Sequence, residues 1–152
     1  MAIEVGAIAP DFTLKNHKNE DVKLSDFRGR KVLLSWHPLA WTSVCTDQMR
    51  ALDVHFTRFE QLNTVALGMS VDPVASKTAW AAVLSLRNTS LPRDFWPHGK
   101  VAEDYGIFNP DNGTSERANI LIDEEGKVAW VKVYPRRQLP DIEEVFRAIE
   151  GK

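Results

Sequence analysis

The chain has a single cysteine, Cys45, in a segment whose residue types favour nucleophilic chemistry. Pro38 stands in a predicted turn upstream, Thr42 precedes the sulfur by three residues, and an amphipathic helix is predicted to begin close to the sulfur. The unpaired N–H groups and the positive dipole end of a helix N-terminus favour an anion, and the thiolate is the nucleophilic form of cysteine. The segment therefore predicts a reactive thiol.

Thr42 and Pro38 carry side chains that would serve such a thiol. A hydroxyl both donates and accepts hydrogen bonds, so Thr42 can orient a substrate oxygen against the sulfur. Pro38 has no N–H and would stiffen and shield the pocket. The alternative is that Cys45 is a small buried apolar side chain, the commonest role of a lone cysteine. The polar neighbours Thr42, Ser43 and Thr46 favour the reactive interpretation.

Length and composition restrict the class of protein. The 152 residues fit one domain, residues 1–152, and a domain of this size needs no disulfide or metal for stability. The formal net charge is −2 and no run of basic residues extends beyond Arg136-Arg137, so no nucleic-acid partner is expected. The longest apolar runs are far shorter than the roughly 20 residues of a membrane span, so no membrane partner is expected.

The N-terminus and the cysteine count bear on the compartment. The segment Met1–Val5 lacks the basic and apolar regions of a signal peptide. One cysteine forms neither a disulfide framework nor a Cys-x-x-Cys motif, which predicts a cytoplasmic protein in a reducing compartment. The histidines His17, His55 and His98 do not show metal-ligand spacing, so no metal is expected. No cofactor is expected either.

Hydrophobic periodicity predicts strands that alternate with helices. Strands are predicted at 11–16, 22–25, 31–36, 64–71, 118–123 and 128–134, and helices at 43–63, 73–86, 98–105 and 142–149. Thr42 or Ser43 is the predicted cap of the first helix, and Asp72 that of the second, with Pro73 at its first position. Residues 109–113 are predicted to form a surface turn.

The order of these elements predicts the fold class. Strands that alternate with helices favour parallel crossovers, and the last two strands, joined by Glu124–Gly126, read as a hairpin. The prediction is an α/β protein with the thioredoxin-like fold: a central mixed β-sheet with helices on both faces and an N-terminal β extension.

Arg117 is the cation best placed to act on the thiol. It stands where the loop after Gly113 enters a strand, and functional sites form where strand ends and helix N-termini gather at one edge of a sheet. A neighbouring cation stabilises a thiolate. The alternative is an ordinary solvated arginine. Other arginines are also available, namely Arg87, Arg93, Arg136 and Arg137.

The spacing Pro38-x-x-x-Thr42-x-x-Cys45 resembles the active-site motif of the peroxiredoxins, the thiol-dependent peroxidases. The phrase Pro38–Thr42 and the missing second cysteine are closest to the one-cysteine, alkyl hydroperoxide reductase E-like subgroup. The likeness spans roughly residues 5–150.

Two further segments support this resemblance. Ser70–Asp72 with Trp80 resembles the strand and helix that follow the active-site helix of the family. Asp94–Gly99, followed by Tyr105–Phe108, resembles the segment before its catalytic arginine.

The resemblance implies a role for each of four residues. Cys45 would attack the terminal peroxide oxygen and become a sulfenic acid. Thr42 would hydrogen-bond the attacked oxygen and the sulfur, and Pro38 would shield the sulfenate from over-oxidation. Arg117 would stabilise the thiolate and the charge that develops on the peroxide.

The resemblance also implies partners. Hydrogen peroxide and organic hydroperoxides would be substrates. Because the chain has no resolving cysteine, the sulfenate would be reduced by an external thiol, either a low-molecular-weight thiol or a protein of the thioredoxin or glutaredoxin type. A homodimer is implied, with Trp41 in the active-site turn as a pocket wall or a dimer contact.

Two residues depart from the family pattern. Gln48 stands where members often have a glutamate, so the ion pair with the arginine is lost and only an amide remains to orient Arg117. His37 stands where an aromatic residue usually precedes the motif proline. It either tunes the thiolate or packs with its ring hydrogen-bonded, and packing is the favoured interpretation.

Two other functions stay open at this point. A cysteine hydrolase would need a histidine base near the sulfur, and His37 is the only choice nearby in the sequence. A non-catalytic redox sensor or interaction domain on the same fold would oxidise Cys45 slowly and stoichiometrically.

Overall fold

Eight strands and five helices follow one another in the computed structural model, which describes residues 1–152. The strands are Thr13–Lys15 (β1), Asp21–Lys23 (β2), Lys31–Trp36 (β3), Thr64–Met69 (β4), Phe108–Asn109 (β5), Thr114–Ser115 (β6), Arg117–Ile122 (β7) and Val128–Tyr134 (β8). The helices are Ser43–Val54 (α1), Phe56–Gln61 (α2), Val74–Leu84 (α3), Lys100–Asp104 (α4) and Ile142–Ile149 (α5). A short 3₁₀ helix covers Leu24–Phe27.

The central sheet has the strand order β4-β3-β7-β8. β3 runs parallel to β4, since α1 and α2 cross over between them, and β7 runs antiparallel to both β3 and β8. The β7–β8 hairpin turns through Gly126, whose φ of +87° lies in the left-handed region that glycine adopts without strain. The predicted mixed sheet is confirmed.

Both faces of this sheet are covered, because side chains alternate between faces along each strand. Leu34 and Trp36 point to a core completed by α4. Leu33 and Leu121 point to the opposite core, which α1, α2, α3 and α5 complete. The predicted thioredoxin-like arrangement, with helices on both faces, is confirmed.

The N-terminal β extension is a small hairpin. β1 and β2 pair antiparallel, with Leu14 opposite Val22, and are shorter than the predicted strands. Hydrogen bonds tie the start of the chain to the rest of the domain: the N–H of Ile3 donates to the carbonyl of Tyr105 at 3.0 Å, and the Tyr105 hydroxyl donates to the carbonyl of Pro10 at 2.7 Å.

The single helix predicted over 43–63 is wrong at His55. That residue has φ −97° and ψ 16°, which ends α1, and α2 begins at the next residue. The His55 ring and the His55 backbone N–H both contact the carbonyl of Ala51, at 2.8 and 3.2 Å. A ψ of 16° lies outside the α-helical range, so the regular helix stops at His55 although the bond to Ala51 is kept.

The predicted cap of α3 is also wrong. Pro73 has extended backbone, with ψ 160°, and occupies the cap position, so the helix begins at Val74. It ends at Leu84 because Ser85 is left-handed, with φ +56°. The Asp72 carboxylate does not cap the helix. It bonds instead to the N–H of Ala40, in the turn between β3 and α1, which is called the active-site turn below.

After α3, the structure has a shorter helix than predicted and two short strands that were not predicted. α4 spans Lys100–Asp104 only, and the Asp94 carboxylate accepts from the N–H groups of Val101 and Ala102 at 3.1 and 2.8 Å. The predicted surface turn at 109–113 is the tip of the small β5–β6 hairpin. That hairpin leads directly into β7.

No helix combines the length and apolar character that crossing a bilayer requires.

Candidate active site

Cys45 lies in the first turn of α1, directly after the turn that follows β3. Thr42 occupies the cap position, and the first backbone bond of the helix runs from the N–H of Thr46 to the carbonyl of Thr42 at 2.9 Å. The N–H groups of Ser43–Cys45 therefore have no backbone acceptor. The Cys45 side chain is completely buried, so a reactant reaches the sulfur only past the side chains that surround it.

Arg117 reaches this sulfur because β7 begins where β3 ends. Ala118 pairs with Trp36, so the preceding residue, Arg117, lies at the edge of the sheet from which the active-site turn departs. The strand that carries Arg117 is antiparallel to β3. Nη1 and Nη2 of Arg117 each donate to Sγ of Cys45 at 3.4 Å. The structure thus brings these two predicted residues into direct contact.

The Arg117 guanidinium is held from two further sides. Nη1 donates to Oε1 of Gln48 at 2.6 Å, and Nε donates to the backbone carbonyl of Arg136 at 3.0 Å. The side chain is 2% exposed. The orientation of Arg117 therefore rests on neutral acceptors and needs no carboxylate.

Gln48 is itself fixed by its amide nitrogen. Nε2 donates to the hydroxyl of Ser35 at 2.8 Å and to the carbonyl of Trp36 at 3.1 Å, both on β3. Gln48 is buried, and its two ends satisfy one donor and two acceptors inside the protein. The residue links the end of β3 to the guanidinium on β7.

Asp72 stabilises the active-site turn through hydrogen bonds. Its Oδ2 accepts from the N–H of Ala40 at 2.8 Å and from the hydroxyl of Ser70 at 2.6 Å. The next residue of the turn, Trp41, has φ +75°, a conformation that a bulky side chain rarely adopts. Trp41 also donates from Nε1 to the hydroxyl of Ser76 at 3.1 Å. These bonds stabilise a strained turn that directs the chain into α1.

Pro38 and Thr42 lie at the mouth of the site. The Thr42 hydroxyl donates to the carbonyl of Leu39 at 3.2 Å and makes no hydrogen bond to the sulfur. Its lone pairs remain open to a ligand. A cleft of about 360 Å³ opens here, lined by Pro38, Thr42, Ser43, Val44, Arg117, Arg136 and Arg137.

His37 is buried behind the turn and packs as predicted. Its ring lies 5.2 Å from the Trp80 ring, and Nε2 is 3.2 Å from Nζ of Lys77. Burial, followed by the nearby charges of Lys77 and Arg117, holds the pKa of His37 well below its usual 6.5. The ring is therefore neutral at physiological pH.

Lys77 is a functional-site neighbour that the sequence interpretation missed. It is fully buried on α3, and Nζ donates to the carbonyl of Gly68 at 3.1 Å. Burial lowers its pKa to about 7, and the charges of Asp72 and Cys45 act in the opposite direction. The sequence spacing could have indicated it, because Lys77 falls on the same helix face as the apolar residues Trp80, Ala81 and Leu84, which is the buried face of α3.

The three remaining histidines all contact backbone groups. His17 accepts from the N–H of Leu91 at 3.2 Å, His55 contacts the carbonyl of Ala51, and His98 contacts the carbonyl of Gly113 at 2.7 Å. No three His, Cys, Asp or Glu side chains gather into a metal site.

The arrangement suits a reaction in which the Cys45 sulfur attacks a bond and negative charge develops on the leaving atom. A guanidinium contacts the sulfur, and the N–H groups in the same first turn of α1 have no backbone acceptor. Donors of this kind stabilise both a thiolate and a developing oxyanion. The hydrolase alternative needs a histidine base on the sulfur, yet the side-chain hydrogen bonds to Sγ come from Arg117. His37 is engaged by Lys77 instead.

Known proteins resemble this chain over most of its length. Residues 5–131 match the model of the AhpC/TSA family. Alkyl hydroperoxide reductase E of Mycobacterium bovis is 37% identical over 132 residues, which cover 86% of each chain. A peroxiredoxin of Thermoplasma volcanium is 31% identical over 154 residues, covering 99% of this chain and 75% of that protein.

A solved structure extends the likeness to three dimensions. The reduced 2-Cys peroxiredoxin of Plasmodium vivax superposes with a TM-score of 0.86 at 31% identity, covering 96% of this chain and 80% of that one. This chain differs in having one cysteine. Matched in sequence and fold, it belongs to the AhpC/TSA family, the peroxiredoxins, and is a thiol-dependent peroxidase.

Proposed function

We propose that Cys45 is the peroxidatic nucleophile and that the enzyme uses it in a one-cysteine mechanism. One observation carries the proposal: both terminal nitrogens of the buried Arg117 donate to the sulfur of the only cysteine. A guanidinium in this position favours the thiolate and remains in place for the charge that develops on the substrate.

The oxidative half-reaction consumes hydrogen peroxide or an organic hydroperoxide. The Cys45 thiolate attacks the terminal oxygen, an S–O bond forms, and the O–O bond breaks. The leaving oxygen takes a proton and departs as water or an alcohol, which leaves a sulfenic acid. Arg117 stabilises the charge on the oxygens, Thr42 orients the peroxide through its hydroxyl, and Pro38 shields the sulfenate.

The reductive half-reaction uses a thiol from outside the chain, because no second cysteine is present. A first thiol forms a mixed disulfide with Cys45 and releases water. A second thiol then frees the Cys45 thiolate and leaves with the first as a disulfide. The reductant is a low-molecular-weight thiol or a protein of the thioredoxin or glutaredoxin type.

The remaining proposals concern assembly and location. We infer that residues 1–152 act as one peroxiredoxin domain in the cytoplasm and that the enzyme is a homodimer. Exposed apolar side chains in the active-site turn support the dimer, since Leu39 is 37% and Trp41 51% exposed.

A sulfenate-trapping experiment tests the proposed function. Reduced protein is treated with one equivalent of hydrogen peroxide, and a dimedone-type probe should label Cys45. Cys45→Ser should neither be labelled nor consume peroxide. Multiple turnover with an added thiol distinguishes an enzyme from a stoichiometric redox sensor, which would stop after one equivalent. Undiminished consumption by Cys45→Ser would remove Cys45 from the mechanism.

A further inference from the structure

The cleft above Cys45 is lined by an unusual set of charges. Three of its seven lining residues are arginines, Arg117, Arg136 and Arg137, and no lining residue is acidic. The chain as a whole has a net charge of −2, so this concentration of positive charge is local to the site. Clefts lined by one sign of charge attract ligands of the opposite sign.

Arg136 and Arg137 have charges that the protein leaves uncompensated. Both side chains are exposed in the loop after β8, and neither forms a salt bridge. Neither donates a side-chain hydrogen bond, although the backbone carbonyl of Arg136 holds Arg117. Two guanidinium groups that line the cleft are therefore available to an anion from solution.

The cleft is larger than hydrogen peroxide requires and has room for the carbon skeleton of a thiol reductant. Its volume of about 360 Å³ lies within the usual range for small-molecule sites and far exceeds what a hydrogen peroxide molecule fills. A peroxide reacts through its oxygens at the sulfur, beside Arg117. A thiol that approaches a sulfenate on Cys45 must leave the rest of its carbon skeleton in the outer part of the cleft.

We infer, on the basis of the proposed function, that Arg136 and Arg137 form a carboxylate-binding subsite that selects an anionic low-molecular-weight thiol as the reductant. The guanidinium groups bind the carboxylate of the thiol by charge-assisted hydrogen bonds, and the thiol sulfur then faces Cys45. The subsite acts on the reductive half-reaction alone.

The chemistry of that step is balanced within the proposed cycle. The thiolate of the reductant attacks the sulfenic sulfur, an S–S bond forms, and the S–O bond breaks; the leaving hydroxide takes the proton that the thiol lost on ionising and departs as water. A second thiol attacks the mixed disulfide and regenerates the Cys45 thiolate. Two thiols are oxidised to one disulfide, and one sulfenic acid is reduced. The carboxylate bound by the arginines is unchanged.

The test compares three thiols that differ in charge. Full-length protein is oxidised with one equivalent of hydrogen peroxide and mixed in stopped flow with 3-mercaptopropionate, 2-mercaptoethanol or 2-mercaptoethylamine. Rate constants are expressed per thiolate, because the three thiols ionise differently. One charge-assisted hydrogen bond gives the anionic thiol about a tenfold advantage over the neutral one. The cationic thiol should be slowest, and added salt should reduce the difference.

Substitutions assign this preference to the two arginines. In the double variant Arg136→Gln, Arg137→Gln, the ratio of the anionic to the neutral rate should fall to near one. Arg87→Gln removes an exposed arginine after α3, outside the cleft, and should keep the wild-type ratio. Equal rates for the three thiols in wild-type protein, or a ratio unchanged in the double variant, overturn the subsite.

Two further readouts separate this proposal from its alternatives. If hydrogen peroxide forms no sulfenate, the proposed function fails. If sulfenate forms but the three thiols reduce it equally, only the subsite fails. The oxidative step is also measured with a carboxylate-bearing alkyl hydroperoxide and with tert-butyl hydroperoxide. An anionic preference confined to that step would assign the arginines to the peroxide and overturn the proposal.

Discussion

The amide oxygen of Gln48 lies 2.6 Å from Nη1 of Arg117, and the amide nitrogen of the same side chain lies 3.1 Å from the carbonyl of Trp36. One neutral group therefore meets a cation at one end and a backbone acceptor at the other. A carboxylate could serve only the first of these contacts, because it has no N–H to donate.

We predict that Gln48→Glu does not improve the enzyme. The second carboxylate oxygen would lie against the carbonyl of Trp36, which has no proton to donate, and the loss of this buried bond should lower the free energy of unfolding by about 1–3 kcal/mol. The rate of Cys45 oxidation should not rise. Urea unfolding and stopped-flow oxidation measure the two effects, and Gln61→Glu on the exposed end of α2 is the control. A faster variant of wild-type stability would contradict the prediction.

Arg117→Lys should slow Cys45 oxidation by hydrogen peroxide about 10²–10³-fold, the loss typical of removing a donor that stabilises an oxyanion. A lysine ammonium cannot span the sulfur, Gln48 and the Arg136 carbonyl at once. Pseudo-first-order oxidation is the measurement, and the ultraviolet absorbance of the thiolate provides a second readout. Arg87→Lys should react at the wild-type rate. A loss below threefold in Arg117→Lys would show that a point charge is sufficient.

Lys77 should impose a pH dependence on stability. Its pKa of about 7 in the folded protein lies below the value of 10.5 for the free group, so between these values the unfolded chain binds one more proton. The free energy of unfolding should therefore rise with pH across this window, by about 1.4 kcal/mol per pH unit from this residue. Below the window the buried ammonium destabilises the fold fully.

Comparison with Lys77→Met isolates this effect. The stability difference, variant minus wild type, should be constant below about pH 6 and decrease by about 1.4 kcal/mol per unit between about pH 7.5 and 9.5. Burial, the largest cause, lowers the pKa of His37 well below 6.5, so His37 does not titrate between pH 7.5 and 9.5, and the lost contacts to His37 and Gly68 add only a constant there. Urea unfolding at several pH values provides the measurement, with exposed Lys127→Met as control. Parallel curves would show that Lys77 stays charged.

Asp72→Ala should disturb the turn that presents Cys45. The substitution leaves the N–H of Ala40 and the hydroxyl of Ser70 without their acceptor, at a cost of about 1–3 kcal/mol in the free energy of unfolding. Because Trp41 is held in a strained conformation by this turn, Cys45 oxidation should slow as well. Asp47→Ala, an exposed position on α1, should change neither quantity. Wild-type reactivity in Asp72→Ala would show that α1 alone positions the sulfur.

The features that were predictable from sequence rest on local chemistry or on regular spacing. Cys45 at a helix start, the buried strand 31–36 and the terminal hairpin could be deduced because a short segment determines each of them. Arg117 was selected by its place before a strand, although the antiparallel direction of that strand depends on the whole sheet.

The remaining errors concern side chains whose partners are distant in sequence. Asp72 has the residue type of a helix cap, yet it bonds Ala40, 32 residues away. The contact of the Gln48 amide with Arg117 was expected, but its two acceptors on β3 were not, because they are identifiable only once the strand and helix are packed. Lys77 shares an apolar helix face, but its neighbour His37 lies 40 residues earlier in the chain.

The bond from Nε of Arg117 to the carbonyl of Arg136 ties the reactive sulfur to the last part of the chain. A protein that stopped before residue 136 could still contain Cys45, Thr42, Pro38 and Arg117, but its guanidinium would lack one of its anchors. We therefore expect the guanidinium to have all of its anchors only once the loop following β8 has folded against the sheet. For a growing polypeptide, this is possible only after residue 136 has emerged.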